Sequence, residues 1–343
     1  MSIMNSTTTK KIALGISLVL LCTTVVFINI QYKRFSKVRS EQIERANTNS
    51  VVVELDRGTI EYAVSGEGDP VLMIHGAGGG YDQGLLLADR FLPKDHMVIA
   101  VSRFGYLNTP LTEEPTTDHM AALYRDLLDE LGINNIHVVA VSDGGPSALK
   151  FSINYPERVK SLTMMCAKSQ TPPKLTTAQS IAFGTIFDND FLFWMVTEYI
   201  QSDLLNVLGV SKEVQQKMTT DEIEMAREFF GIMNPISLRK NGIFNATIQF
   251  KELSPEDYPI WEIKAPTLVI HAEDDTLQPF YYAEYTHEKI PDSTLLSFKE
   301  GGHMFFSHHA EIHEGIKRFF SELDDEQITF EVKSGCAVEL SFF

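Results

Sequence analysis

The residues with the clearest chemical potential are Ala140-Val141-Ser142-Asp143-Gly144, which close the apolar run 136–141 and open a helical pattern. A nucleophile presented at a sharp strand-to-helix turn sits on strained backbone, and the residues two places to either side crowd together, so both must be small. Ala140 and Gly144 meet that requirement around Ser142. Around Asp143, the alternative nucleophile, the flanks would be Val141 and Gly145, and Val141 is bulky. Taken alone, Ser142 also fits the commoner role of a helix N-cap. A serine hydroxyl attacks poorly until a base removes its proton, so a nucleophilic Ser142 needs a histidine, and a carboxylate to hold that imidazole in the right tautomer.

Short elements must position these groups. Residues 51–55 and 59–63 are β-rich and flank Asp56-Arg57-Gly58, which predicts a hairpin. Residues 71–75 (VLMIH), 97–101 (MVIAV), 136–141 (IHVVAV), 159–166 (VKSLTMMC) and 267–271 (TLVIH) are near-continuous apolar runs, as expected of strands buried on both faces. Helical patterns over 117–131 and 146–155 lie between some of them, and the alternation predicts a parallel sheet with helices on both sides. Residues 169–260 hold no comparable strand but many Phe- and Met-rich helical stretches, which reads as an inserted helical cap. A last amphipathic helix is expected over 310–323, with Ile312, Ile316, Phe319 and Phe320 on one side.

With these elements in place, the chain resembles the serine hydrolases of the α/β-hydrolase superfamily, the esterases, lipases and aminopeptidases that carry a helical cap, over roughly residues 51–323. Four motifs carry the resemblance in family order. His75-Gly76-Ala77-Gly78-Gly79-Gly80 follows a strand, Ser142 sits at the turn, His271-Ala272-Glu273-Asp274-Asp275 follows a late strand, and Gly301-Gly302-His303 precedes the last helix. Ala140 replaces the first glycine of G-x-S-x-G, a mild departure. The resemblance implies an α/β-hydrolase fold, a mostly parallel central sheet with helices on both faces and an inserted helical cap. It implies His303 as general base and then acid, and Asp275, three residues after the strand-end Ala272, as the carboxylate, with Asp274 as fallback. Backbone N–H groups of Asp143 and of Ala77, or of Gly78, would form the oxyanion hole. His75 is expected to support its loop rather than react.

The activity so implied is cleavage of a carboxylic ester or related acyl bond of a small apolar substrate through a Ser142 acyl-enzyme, with no metal and no organic cofactor. The same scaffold cleaves amides, lactones and carbon–carbon bonds, so fold likeness does not choose among them. Two other readings stand beside it: a non-catalytic ligand-binding protein that uses the cap pocket, and an Asp143 nucleophile with dehalogenase or epoxide hydrolase chemistry.

Composition narrows the field further. The chain has 343 residues, 44% hydrophobic and 22% charged, an ordinary globular balance that excludes collagen-like and wholly disordered chains. A net charge of −17 repels phosphate backbones, so nucleic acid is not an expected partner. Cys22, Cys166 and Cys336 allow at most one disulfide. The loop at 76–81 begins like a dinucleotide fingerprint, but Tyr81 stands where Gly or Ala is needed. Ser147 and Lys150 match S-x-x-K only inside a predicted helix. His303, His308, His309 and His313 cluster in sequence, but His-Ala-Glu-Ile-His misplaces the glutamate of a zinc helix. Asn189, Met195 and Tyr199 bound a cap stretch without clear amphipathic period, room for a membrane-facing lid.

The two ends stand apart. Residues 12–30 carry no charge and as a helix would reach about 28 Å, close to the hydrocarbon thickness of a bilayer. With Val-Phe-Ile-Asn-Ile at its end and no small-x-small site, the segment reads as an uncleaved transmembrane anchor after a tail of residues 1–11, which makes the lipid bilayer a partner. Lys33, Arg34, Lys37 and Arg39 behind the span favour a cytoplasmic body, whereas Lys10 and Lys11 on a short tail resemble an export signal. Residues 31–50, polar and without apolar periodicity, read as a linker. Core is expected over 51–168 and 261–323, and the tail 324–343 alternates at Ile328, Phe330 and Val332 and again at Val338, Leu340 and Phe342, which suggests a terminal hairpin.

Overall fold

Each of the five apolar runs becomes a strand: β3 (Asp69–Ile74), β4 (His96–Val101), β5 (Ile136–Val141), β6 (Val159–Met165) and β7 (Thr267–Ala272). The expected hairpin is β1 (Val51–Leu55) and β2 (Gly58–Ser65), joined where Leu55 pairs with Gly58. The computed structural model describes residues 6–172, 176–249 and 253–334. An eighth strand, β8 (Ser293–Phe298), was not anticipated: it is an edge strand with no fully buried residue, so its sequence STLLSF lacks a continuous apolar run. The sheet order is β1-β2-β4-β3-β5-β6-β7-β8, parallel from β4 to β8, with β1 and β2 antiparallel at one edge.

Alternation along these strands sends side chains to two cores. Leu72, Ile74, Val138 and Ala140 face one side, where they meet Met120 and Leu127 of α3 (Thr117–Glu130) and Leu149 and Phe151 of α4 (Gly145–Asn154). Val71, Met73, Val139 and Val141 face the other, covered by Leu87 and Phe91 of α2 (Tyr81–Phe91) and by Ile312, Ile316 and Phe320 of α12 (His309–Ser334). Both faces are therefore dry, which is what the unbroken apolar runs require.

Between β6 and β7 the described chain forms helices only: α5 (Thr177–Phe187), α6 (Asp190–Tyr199), α7 (Gln201–Val207), α8 (Lys212–Lys217), α9 (Thr220–Ile232) and α10 (Lys240–Gln249), with short 3-10 turns. This is the expected cap. Phe193, Trp194 and Phe230 are buried in it, whereas Phe183 and Tyr199 stay exposed. The helix α11 (Tyr281–Lys289) joins β7 to β8.

Two expectations at the ends are corrected. The chain divides into two units, residues 1–48 and 49–343. The described residues of the first form one helix, α1 (Ser6–Thr48), so most of the expected linker 31–50 is helical. No Gly or Pro occurs between Gly15 and Gly58, and once nucleated a helix propagates through such sequence without needing an apolar face. Its Lys10–Thr48 stretch, with mean hydropathy 2.3 over its most apolar window, is long and apolar enough to cross a membrane. At the other end, Ile328, Phe330 and Val332 lie in α12 rather than in a strand, because no Gly or Pro occurs between Gly315 and Gly335 to stop the helix before Ser334. The second half of the expected hairpin, with Cys336, lies outside the described residues.

Candidate active site

The predicted site residues converge at the carboxyl ends of the parallel strands, where loops from β3, β5, β7 and β8 meet. Ser142 follows β5 with a φ of 52°, in the left-handed region that costs a non-glycine residue about 1–2 kcal/mol. Close packing explains how the turn is held. A Cβ on Gly144 would stand 2.7 Å from the Ile74 carbonyl oxygen, and one on Gly145 would stand 2.3 Å from that of Lys168. Ala140 is fully buried between its sheet partners Ile74 and Met164. The small flank at Gly144 is thus required by the approach of neighbouring backbone, and that at Ala140 is fully buried.

Asp275 and His303 meet: Oδ2 lies 2.7 Å from Nδ1, and both residues are buried. The other oxygen of Asp275 accepts the N–H groups of Leu277 and Gln278 at 2.8 and 2.9 Å, which fixes the carboxylate. Asp274 faces elsewhere. It accepts the N–H groups of Gly301 and Gly302 at 3.2 and 2.8 Å and so shapes the loop that carries His303. Ser142 Oγ receives the amide of Gln278 at 3.5 Å. No hydrogen bond joins it to His303 in this state; the Nε2 of His303 has the thiol of Cys166 as its neighbour at 3.9 Å.

The loop after β3 is anchored on all sides. His75 donates from Nδ1 to the Gly76 carbonyl at 2.6 Å and accepts the Arg103 N–H on Nε2 at 3.0 Å, so it supports the loop as expected. Gln83 accepts the Gly76 N–H at 2.9 Å. Among the described residues the Ala77 N–H makes no hydrogen bond.

The family model for the alpha/beta hydrolase fold matches residues 69–310, which include all of these groups. The chain belongs to the alpha/beta hydrolase fold family. It is similar to the uncharacterized hydrolase YcgS of Bacillus subtilis (strain 168), 27% identical over 265 residues, or 74% of this chain and 91% of the relative. A 2-hydroxy-6-oxononadienedioate/2-hydroxy-6-oxononatrienedioate hydrolase of Comamonas testosteroni is 27% identical over 281 residues, 79% of this chain and 95% of that one. Among solved structures, an alpha/beta hydrolase fold protein from Nakamurella multipartita superposes with a TM-score of 0.62 at 25% identity, covering 80% of this chain and 98% of its own.

The electrostatics of this hydrolase site follow from burial and pairing. Burial disfavours the imidazolium of His303, but the Asp275 charge, the neighbouring Cys166 sulfur and the hydrogen bond to Asp275 outweigh it, and the pKa is raised well above the ordinary value. Burial and the Arg103 guanidinium push His75 well below that value, which keeps it neutral. Burial also pushes the Cys166 thiol up. For Asp143, burial is outweighed by Lys168 and Arg103, and its pKa is lowered. Its carboxylate is held by Lys168 Nζ at 2.6 Å and the Gln278 amide at 3.3 Å, so the side chain considered as an alternative nucleophile is committed to an ion pair.

Metal ligation was not expected. Among the described residues, Cys166, Asp275 and His303 offer ligand atoms within 4.8 Å of one another, but two of them are already bonded together. The late histidines do not converge: His308 pairs with Glu311, and His309 binds the Met304 carbonyl. Sequence reasoning missed Gln278, Lys168 and Cys166, which carry no motif and reach the site only through folding.

Proposed function

We propose that the chain is a membrane-anchored serine hydrolase that cleaves a carboxylic ester, or a related acyl bond, of a small apolar substrate. The observation that carries this reading is the buried 2.7 Å contact of Asp275 with His303 beside a serine held at φ 52°. In the reaction His303 Nε2 takes the Ser142 proton as Oγ bonds to the carbonyl carbon. The N–H groups of Ala77 and Asp143 meet the resulting oxyanion. Collapse breaks the bond to the leaving group, which takes the proton from His303, and water then attacks the acyl-Ser142 by the same route in reverse. Because catalytic hydrogen bonds often tighten only with substrate bound, Nε2 turns from Cys166 toward Oγ on binding.

A second reading is carbon–carbon bond hydrolysis, favoured by the relatives named as 2-hydroxy-6-oxo-dienoate hydrolases, one of them 29% identical. Such acids need a cation to receive a carboxylate. Here two buried cations near the Ser142 turn are ion-paired, Lys168 with Asp143 and Arg239 with Asp82, whereas Arg103 donates to the neutral Gly76 carbonyl and keeps an Nε without a partner among the described residues. Two of the three charges are neutralised by the protein, which favours an uncharged ester, and Arg103 is the group that a carboxylate would need.

Detergent-solubilised wild type, Ser142→Ala and His303→Ala are exposed to a fluorescent fluorophosphonate and assayed on short acyl esters and on a 2-hydroxy-6-oxo-dienoate. Labelling of wild type alone, with ester turnover, is the expected result. Unlabelled but folded wild type would overturn the serine mechanism, and turnover of the dienoate in preference to every ester would move the assignment to the carbon–carbon reading.

A further inference from the structure

Arg239 lies in the cap, just before α10, far from every motif that identified the site, yet it is 1% exposed and carries its charge into the interior. Its guanidinium reaches in three directions. Nε donates to the Ile232 carbonyl at 2.9 Å, Nη1 to the Gly79 carbonyl at 3.1 Å, and Nη2 to Asp82 Oδ2 at 2.7 Å. The first acceptor ends α9 in the cap. The second belongs to the glycine loop after β3, two residues beyond Ala77, and the third opens α2, which that loop enters. A planar fork with fixed donor directions satisfies this set, whereas a lysine would supply a single point of contact.

Neighbouring cap residues point the same way. A Cβ on Gly78 would stand 2.3 Å from Met233 Cε, so Met233, the residue after α9, lies directly on the glycine loop. The Leu107 N–H, beside the same loop, donates to the Leu238 carbonyl at 2.8 Å. The loop's other fixings, by Gln83, His75 and Arg103, all come from the core. Among the described residues, the Arg239 and Met233 contacts tie it to the cap.

We propose that Arg239 is a positioning residue that makes a seated cap the condition for a formed glycine loop. When α9 and the segment after it sit down, the guanidinium bridges Ile232 to Gly79 and Asp82 and holds the loop so that the Ala77 N–H faces the reacting carbonyl. When that segment lifts, Gly79 and Asp82 lose their partner and the loop relaxes. The loop's role in turnover rests on the serine hydrolase reading; the coupling of cap to loop does not.

The test uses the full chain in detergent, with Arg239→Met, Arg239→Lys and, as a milder change that keeps the shape of the partner, Asp82→Asn. Amide hydrogen exchange is followed over residues 76–83, 229–238 and 301–308, and kcat and KM are measured on a short acyl ester per fluorophosphonate-titrated site. In Arg239→Met, exchange rises in both of the first two segments and not in the third, while kcat falls about 10- to 100-fold with KM within about twofold, less than deletion of an oxyanion donor would cost. Arg239→Lys and Asp82→Asn fall between. Unchanged exchange at 76–83 in a folded variant overturns the coupling. A fall in activity that disappears once active sites are titrated reduces Arg239 to a stabilising residue. If wild type neither labels nor turns over, the hydrolase reading fails, and the exchange data alone decide the clasp.

Discussion

At His303 the pairing with Asp275 bears on stability and, on the proposed mechanism, on chemistry as well. Folding raises its pKa, so the Asp275–His303 pair contributes fully below the unfolded value of about 6.5 and is lost as pH rises through the higher folded value. On the proposed mechanism only the neutral imidazole can accept the Ser142 proton, so kcat/KM should climb over that same interval and reach half its plateau above pH 6.5. Asp275→Asn removes the opposing charge. Its pH profile should shift toward acid, and kcat should fall by about 10³- to 10⁴-fold as the tautomer is lost. A profile that stays in place would mean that Asp275 does not control this histidine. Asp274, one residue away, should behave differently, because its carboxylate binds loop N–H groups and never meets the imidazole.

At the scale of elements, the cap is part of the site's scaffold as well as its cover. The segment that links α7 to α8 lies against both the acid loop and the histidine loop. The His303 N–H donates to the Leu208 carbonyl at 2.7 Å, Thr276 donates to the Val207 carbonyl at 2.9 Å, and a Cβ on Gly209 would stand 2.4 Å from the Asp274 oxygen. Gly302 answers this crowding: with φ at +60°, its missing Cβ would lie 2.7 Å from the Leu208 oxygen. Gly302→Ala should lower unfolding free energy by about 2–4 kcal/mol, from left-handed strain plus overpacking. Displacement of His303 by even about 1 Å should cost about 100-fold in kcat. Urea denaturation and ester turnover check the two parts, and a variant of native stability and activity would show that the cap segment yields freely.

For the whole molecule, the two units divide the labour. Residues 49–343 contain every group assigned to chemistry in the proposal, and the described residues of the first unit, 6–48, form one long helix. Deleting residues 1–48 should yield a water-soluble chain with unchanged kcat/KM on a soluble ester. The full chain should stay with membranes through alkaline carbonate extraction and keep its full mass. Recovery of a shortened, soluble protein from cells would mean that residues 12–30 are removed as a signal, and loss of activity on truncation would tie the helix to the site.

The amino-acid sequence determined whatever depends on local preference and on transfer of apolar groups from water. Five runs of apolar residues became buried strands, Ala140 and Gly144 marked the elbow, and the order of Ser142, Asp275 and His303 stood in the chain as written. Where local signals were weak or misleading, the reading failed: β8 pairs along one edge only, and helix propagation overrode the alternation at Ile328, Phe330 and Val332. The resemblance favoured Asp275 over its neighbour, and the tertiary structure supplied the physical reason: Asp274 is taken by the N–H groups of Gly301 and Gly302, and Asp275 faces His303. It also brought Gln278 to Ser142, Cys166 to His303 and Arg239 to Gly79, contacts between residues more than a hundred positions apart. Such encounters arise from chain closure and packing, and no spacing along the chain encodes them.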